Sequence, residues 1–300
     1  MSKSTISTFK LFELFPNEET AREYLEGRLW PDGTTCPTCK TGDRITTRTR
    51  AGFYRCNACQ IDFTIRTGTL FERSHVPLHK WIYSMYLLVT ARKGISSMQL
   101  AKEVGITQKS AWFVLGRLRE ACEGKLETLR GLVEIDECFV GGKEGNKHEW
   151  KKLHAGRGGV GKTSVLGMRE RGGRTFAKVV AATDVQNEIH GTVEAGSTVY
   201  TDEHPAYNDL AFEHQTVNHS IGEFARGPIS TNSIESVWAV LKRGLHGVYH
   251  HASAKHLPRY INEFTFRLNE GNVKRHSLAR LDSFVDGVAG KRLTYKGLIK

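Results

Sequence analysis

The chain has 300 residues, 43 Lys and Arg against 32 Asp and Glu, and a formal net charge of +11. That length leaves room for two or three domains, and the basic excess favours a polyanionic partner, because each neutralised phosphate releases counterions. A membrane-spanning helix is not expected, since the longest apolar stretch, WIYSMYLLV, is about half of the ~20 residues a bilayer helix needs.

The opening segment MSKSTISTFKLFELF lacks the basic-then-apolar layout of a secretory leader, so a cytoplasmic, nucleoid-associated protein is expected. Residues 17–29 read as a short helix capped by Asn17, with Glu18 and Glu19 at its positive end. Pro31-Asp32-Gly33 stops it. Cys36-Pro-Thr-Cys39 and Cys56-Asn-Ala-Cys59 follow, with sixteen residues between the pairs. Four thiolates at this spacing predict a closed, structural zinc site held by Cys36, Cys39, Cys56 and Cys59, rather than a disulfide framework, and a reducing compartment. So small a domain needs its metal to fold.

Residues 78–121 read as three helices. Ser96 and Gln99 form a capping-box pattern, Gly105 marks a turn, and Thr107 caps the third helix. In that helix Ala111, Val114, Leu115 and Leu118 make one face, with Gln108, Lys109, Arg117 and Arg119 off it. A Gly-containing turn before a basic helix suggests a helix-turn-helix, with Lys109 and Arg117 as candidate DNA contacts. A plain helical hairpin linking two domains is the alternative.

From residue 131 the texture becomes strands: LVEIDECFV, SVLGMRER, a Gly172-Gly173 turn and RTFAKVVAATD. VQNEIHGTV reads as a short helix, STVYTD as a strand, HPAYNDLAF as a helix and HQTVNHS as a strand. Helices over 232–245 and 254–269 complete a mixed α/β layer domain. Gly156-Arg-Gly-Gly-Val-Gly161-Lys162-Thr163 matches the P-loop pattern, but its flanks do not. A polar, basic stretch precedes it and a predicted strand follows. Residues 141–174 hold nine Lys or Arg against three Glu, which favours a basic loop whose Lys162 meets nucleic-acid phosphates over a nucleotide site.

Three acidic residues can converge on a divalent metal pair that drives phosphoryl transfer: Asp136, Asp202 and Glu235. Asn232 lies one helical turn before Glu235 and competes with it, although a charged oxygen is the better ligand for a hard cation. Lys242 follows Glu235 by seven residues on the same helical face, with Arg243 beside it. Each acid also has an ordinary reading: a strand surface residue sharing a face with Glu134, a cap for a helix beginning near Pro205, and a first-turn acid favoured by the helix dipole. His219, His246, His250, His251 and His256 raise a rival metal reading, but only His246 and His250 are suitably spaced.

In order, the ribbon, the helix-turn-helix pattern, VEIDECFVGGK, VYTDEHPAY, VNHS and TNSIESVWAVLKRGLHGVYHH resemble insertion-sequence transposases of the IS1595 (ISXO2-like) family, from about residue 14 to about residue 270. The resemblance implies a multidomain α+β protein: an N-terminal helix and zinc ribbon over 1–75, a helix-turn-helix over 76–125, and a ribonuclease H-like, integrase-like α/β domain over 126–300. It implies a DDE-type enzyme using structural Zn²⁺ and two Mg²⁺ or Mn²⁺ ions, in which Asp136 and Asp202 match the first two catalytic carboxylates and Lys242 the basic residue after the third. Some members carry Asn at the third position, so Glu235 and Asn232 both remain in play. The implied partner is DNA, both transposon ends and target, engaged by a homodimer or larger assembly. A DNA-binding regulator without catalysis is the alternative.

Overall fold

A computed structural model of the chain describes residues 5–124, 128–142, 144–153, 159–218, 221–223, 225–271 and 274–299. Gly156 of the P-loop match and His219 lie outside the described residues. Packing divides the chain into two units, 1–124 with 270–300, and 125–269.

The first unit begins with α1 (Thr8–Leu14) and α2 (Glu18–Leu29). The Asn17 side chain accepts the Thr20 N–H at 3.0 Å, the cap its position predicts. An antiparallel sheet of β1 (Ile45–Thr47), β2 (Tyr54–Cys56) and β3 (Asp62–Phe63) follows. Tyr54, Phe63 and Trp30 pack as an aromatic cluster beside the thiols. Then come α3 (Leu78–Thr90), α4 (Ser97–Val104) and α5 (Gln108–Ala121). Ser96 accepts the Gln99 N–H and Thr107 the Ser110 N–H, while Gly105 ends α4 at φ 67°, a left-handed turn that glycine adopts without Cβ strain.

The second unit is built on a five-stranded sheet. Its elements are β4 (Leu132–Val140), β5 (Thr163–Glu170), β6 (Thr175–Val179), α6 (Val185–Thr192), β7 (Thr198–Asp202) and β8 (Glu213–Val217). A short hairpin of β9 (Ala225–Arg226) and β10 (Ile229–Ser230) leads into α7 (Asn232–Gly244), which a π-helical turn over Leu245–Tyr249 prolongs, and then α8 (Leu257–Glu270). Sheet order is β6-β5-β4-β7-β8; β4, β5 and β6 are antiparallel neighbours, and β7 and β8 run parallel to β4. Both faces are covered. Val133 and Ile135 of β4 pack with Val185 and Ile189 of α6, whereas Cys138 packs with Ile234, Val237, Trp238 and Leu241 of α7. Strand alternation therefore sends the even-numbered residues of β4 under α7.

Two local expectations are revised. The predicted HPAYNDLAF helix shrinks to one 3₁₀ turn over Pro205–Tyr207, because Asn208 is extended and Asp209 left-handed at φ 59°. Thr163 opens β5 directly, paired with Val140, so the helix N-terminus a P-loop needs is missing after Lys162.

Residues 270–300 return to the first unit, although the sequence places them in the last domain. In α9 (Ser277–Val285), Leu281, Phe284 and Val285 are buried, and Arg280 donates to the Val89 carbonyl at 3.2 Å. In α10 (Tyr295–Ile299), Tyr295 meets Trp112 and Phe113 edge-on. A Cβ on Gly116 of α5 would sit 2.8 Å from Leu298. Helical periodicity marks an apolar face but not the partner that covers it.

Candidate metal centre and acidic site

The four cysteines converge. Their sulfur atoms all lie within 4.8 Å of one another. Cys36 and Cys59 are 3.6 Å apart and Cys39 and Cys56 3.5 Å, close to the edge of about 3.8 Å that tetrahedral Zn–S bonds of about 2.3 Å require. The two pairs sit on matching turns: the Cys36 amide donates to the Thr41 carbonyl and the Cys56 amide to the Ile61 carbonyl, and Lys40 and Gln60 are left-handed. Burial raises the Cys36 thiol, but backbone groups of Cys39 and Thr38 and the neighbouring thiols outweigh it and bring it down to about 6. This donor set fits zinc.

The acidic site grows from the register of the central strands. Glu134 of β4 pairs with Tyr200 of β7, so Asp136 and Asp202 stand level two residues beyond, on the α7 side of adjacent strands. Burial first, then repulsion by Asp202, pushes the Asp136 carboxyl up to about 6. The Glu137 N–H donates to Asp136 Oδ1 at 2.8 Å and Trp238 Nε1 to Oδ2 at 2.9 Å. The His204 N–H donates to Asp202 Oδ1 at 3.0 Å. On the other face of β4, burial raises Glu137 as well.

Glu235 occupies the first turn of α7, three residues before Trp238, and accepts the Thr231 hydroxyl at 3.0 Å. Asn232, the first residue of α7, is exposed. Register brings Asp136 and Asp202 together, close enough to repel, but among the described residues the cysteine tetrad is the one group of three or more Cys, His, Asp or Glu within mutual ligand reach, so Glu235 is not drawn into ligand range of both.

Three residues the sequence left aside build this site. Gly167 of β5 lies opposite Asp136, and a Cβ there would be 2.4 Å from the Trp238 ring. The missing side chain lets the indole lie on the sheet and reach across to β4; a lone strand glycine is the signal for such an approach. Glu134 is 1% exposed and Arg171 donates to it from two nitrogens, at 2.8 and 3.0 Å. Only the offset of two residues from Asp136 hints at Glu134.

The candidate DNA contacts divide. Lys242 and Arg243 are exposed on the last turn of α7, and Lys242 and Lys162 both lower the Cys138 thiol that burial raises, which sets both lysines near the end of β4. Lys109 is exposed, its ammonium 4.9 Å from the centre of the Tyr295 ring. Arg117 is a correction: it is 6% exposed and donates to the Leu293 and Leu70 carbonyls at 3.1 and 2.8 Å, so it holds the first unit together and offers nothing to DNA. Arg119 is buried too.

Comparison with known proteins places these features. A sequence profile of the ISXO2-like transposase domain of IS1595 elements matches residues 128–269, and one of the transposase zinc-ribbon domain matches residues 16–61. An uncharacterized protein in transposable element ISH50 of Halobacterium salinarum is 30% identical, across 84% of this chain and 91% of its own length. The chain belongs to the IS1595 family of ISXO2-like transposases. It is a DNA transposase of insertion-sequence type with an N-terminal zinc ribbon. A chain in the crystal structure of the Mos1 strand transfer complex also aligns, at 13% identity and a TM-score of 0.19, over 62% of this transposase and 75% of that chain. No described helix is long and apolar enough to cross a membrane.

Proposed function

We propose that this IS1595-family transposase is a DDE-type enzyme that recognises terminal inverted repeats, cuts the element's ends and joins them to target DNA. The observation that carries the reading is the level placement of Asp136 and Asp202 on neighbouring strands, close enough for one to raise the other. The sheet order, with three antiparallel strands followed by two parallel ones, supports a ribonuclease H-like domain. Two facing carboxylates with lone pairs to spare suit a hard divalent cation. Asp136, Asp202 and Glu235 would hold Mg²⁺ or Mn²⁺, and the ions, when bound, supply Lewis-acid neutralisation of charge developing on the phosphate.

The protein's own groups position the DNA. Trp238 and the Glu137 amide orient Asp136, the His204 amide orients Asp202, and Thr231 orients Glu235. Lys242, Arg243 and Lys162 neutralise backbone phosphates next to the reacting one. Water adds to phosphorus as the P–O3′ bond breaks, leaving a 3′-hydroxyl at the element's end; that hydroxyl then displaces a 3′-oxygen of the target in line. No Ser or Tyr nucleophile takes part. The α4–Gly105–α5 segment is read as a helix-turn-helix, with Gln108 and Lys109 at the exposed N-terminal end of α5 facing the groove. Two ends require two active sites, hence a dimer or larger assembly on DNA.

The test is nicking of end-containing DNA in Mg²⁺, followed by joining of pre-cut ends. Wild type should do both, and Asp136→Asn, Asp202→Asn and Glu235→Gln should lose at least 10²-fold in rate. An active Glu235→Gln beside a dead Asn232→Ala moves the third ligand to Asn232. Sequence-specific binding without nicking by the wild type would make the protein a DNA-binding regulator, and nicking without joining a nuclease.

A further inference from the structure

We infer that Glu134, with Arg171, is a positioning pair that fixes the first turn of α7 to the central strand and so sets where Glu235 stands relative to Asp136. The inference rests on the DDE reading above. Glu134 lies in β4 two residues before Asp136, on the same face, and is 1% exposed. Its Oε2 accepts three bonds from the start of α7: the Ser233 N–H at 2.8 Å, the Ser233 hydroxyl at 2.6 Å and the Ile234 N–H at 3.1 Å. The two N–H groups are amides that a helix leaves without internal partners in its first turn, at its positive end.

Its other oxygen, Oε1, takes the two Arg171 donors. Arg171 continues the tether: it donates to the Pro228 carbonyl at 2.7 Å and to the Ser230 carbonyl and hydroxyl, both at 3.2 Å, and lies over the Tyr200 ring at 5.3 Å. One buried carboxylate thus binds the second and third residues of α7 directly and, through Arg171, the segment that enters the helix. Arg169 adds a second hold, donating to the Ser233 carbonyl at 3.1 Å.

Glu235 is the next residue after that anchored pair, and it accepts the hydroxyl of Thr231, immediately before the helix. Asp136 is meanwhile pinned from the middle of the helix by Trp238. The two halves of the proposed site therefore share α7, and Glu134 decides the position of its N-terminal half. A carboxylate is required: it presents two acceptor-only oxygens that a glutamine cannot match, because the amide nitrogen would face either the N–H groups or the guanidinium.

The experiment compares Glu134→Gln with wild type in the full-length protein by two readouts. Amide hydrogen exchange should rise at least tenfold at Ser233, Ile234 and Glu235 and stay unchanged along β7 and α8. The Mg²⁺ concentration giving half-maximal end nicking should rise roughly tenfold or more, with the rate at saturating Mg²⁺ largely recovered and DNA affinity unchanged. Unchanged exchange in the first turn of α7 overturns the anchor; faster exchange with an unaltered Mg²⁺ requirement overturns the positioning role. Glu134→Asp should recover part of both readouts, and if Glu134→Gln fails to fold this variant carries the same comparison. A wild type that does not nick, or an Asp136→Asn that nicks as well as wild type, refutes the DDE reading and with it the positioning of a catalytic Glu235, while the exchange data still decide whether Glu134 holds the helix.

Discussion

Gly167→Ala is the sharpest test of how the acidic site is assembled. An ideal Cβ on Gly167 falls 2.4 Å from both Cη2 and Cζ2 of Trp238 and 3.0 Å from Ile234 Cδ1. Ordinary carbon contacts are about 3.5–4.0 Å, so the indole must withdraw by about 1 Å. It has little room, because Trp238 is 4% exposed and packed among Val165, Ile234 and Leu241. Overpacking of this kind costs about 1–3 kcal/mol. The same shift stretches the Trp238–Asp136 hydrogen bond, a bond to a charged group worth about 1.5–3 kcal/mol. The sum is on the order of 2.5–6 kcal/mol, and the bond lost is the one that orients Asp136. Gly191→Ala is the control: Gly191 lies in α6 with open space around its Cβ direction, so alanine there should be neutral or stabilise by up to about 1 kcal/mol. Urea unfolding followed by far-UV circular dichroism and the end-nicking rate are measured on both variants. If Gly167→Ala matches wild type in urea midpoint and rate, the indole is not held against β5 and this account of the site is wrong.

The cysteine tetrad predicts that Cys56→Ser purifies without the one zinc per chain of wild type and loses exchange protection over β1–β3; full zinc content would refute it. Arg117→Ala should destabilise the protein by about 2–4 kcal/mol, since both acceptor carbonyls lose a charged donor, and leave the salt dependence of DNA binding unchanged. Lys109→Ala should do the reverse, with stability within ~0.5 kcal/mol and a slope of log K against log salt reduced by about 1; the opposite pattern exchanges their roles. The raised Asp136 predicts a pH effect whose sign follows from linkage. Ionisation is disfavoured in the fold, so the stabilising contribution of this group in metal-free protein is complete below the unfolded value near 3.8 and is lost as pH rises through about 6, by at most about 3 kcal/mol. Mg²⁺ should therefore raise the melting temperature more at pH 7.5 than at pH 5; equal shifts would refute a cation at Asp136.

Much of the fold is legible in the residues because the deciding physics is local. Asn17, Ser96 and Thr107 cap helices wherever the chain allows them to, and the two cysteine pairs impose the same turn twice. What stays hidden depends on contacts distant in sequence. Arg117 and Arg119 fall off the apolar stripe of α5 and carry charge, which ordinarily means solvent. Arg117 is buried because a segment 176 positions later returns to this unit: Leu293 offers it a carbonyl, and Leu298 closes on Gly116 nearby. Alternation sets Glu134 on the face of Asp136, but it says which residues share a face and not what covers it. Here the start of α7 covers it, and the buried charge is stable because amide hydrogens and Arg171 surround it.

Helix geometry also bears on the choice between Glu235 and Asn232. Trp238 marks the point on α7 that touches Asp136. At about 1.5 Å rise and 100° per residue, Glu235 lies about 4.5 Å from that point along the axis and about 60° around it. Asn232 lies about 9 Å away and about 120° around, at the exposed tip of the helix. Lys242 lies about 6 Å in the opposite direction and about 40° around. A carboxylate and an ammonium thus flank the Asp136 contact on one stripe, while the amide is turned aside. Thr231 strengthens the preference by binding the Glu235 carboxylate from the preceding residue's end of the helix. For Asn232 to take the bearing of Glu235 as the third ligand, the first turn of α7 would have to unwind or rotate by about 60°, and that movement would break the Ser233 and Ile234 bonds to Glu134. If Asn232→Ala abolishes nicking while Glu235→Gln does not, the helix must move when DNA binds, and first-turn exchange measured on the DNA complex would then show those two amides released.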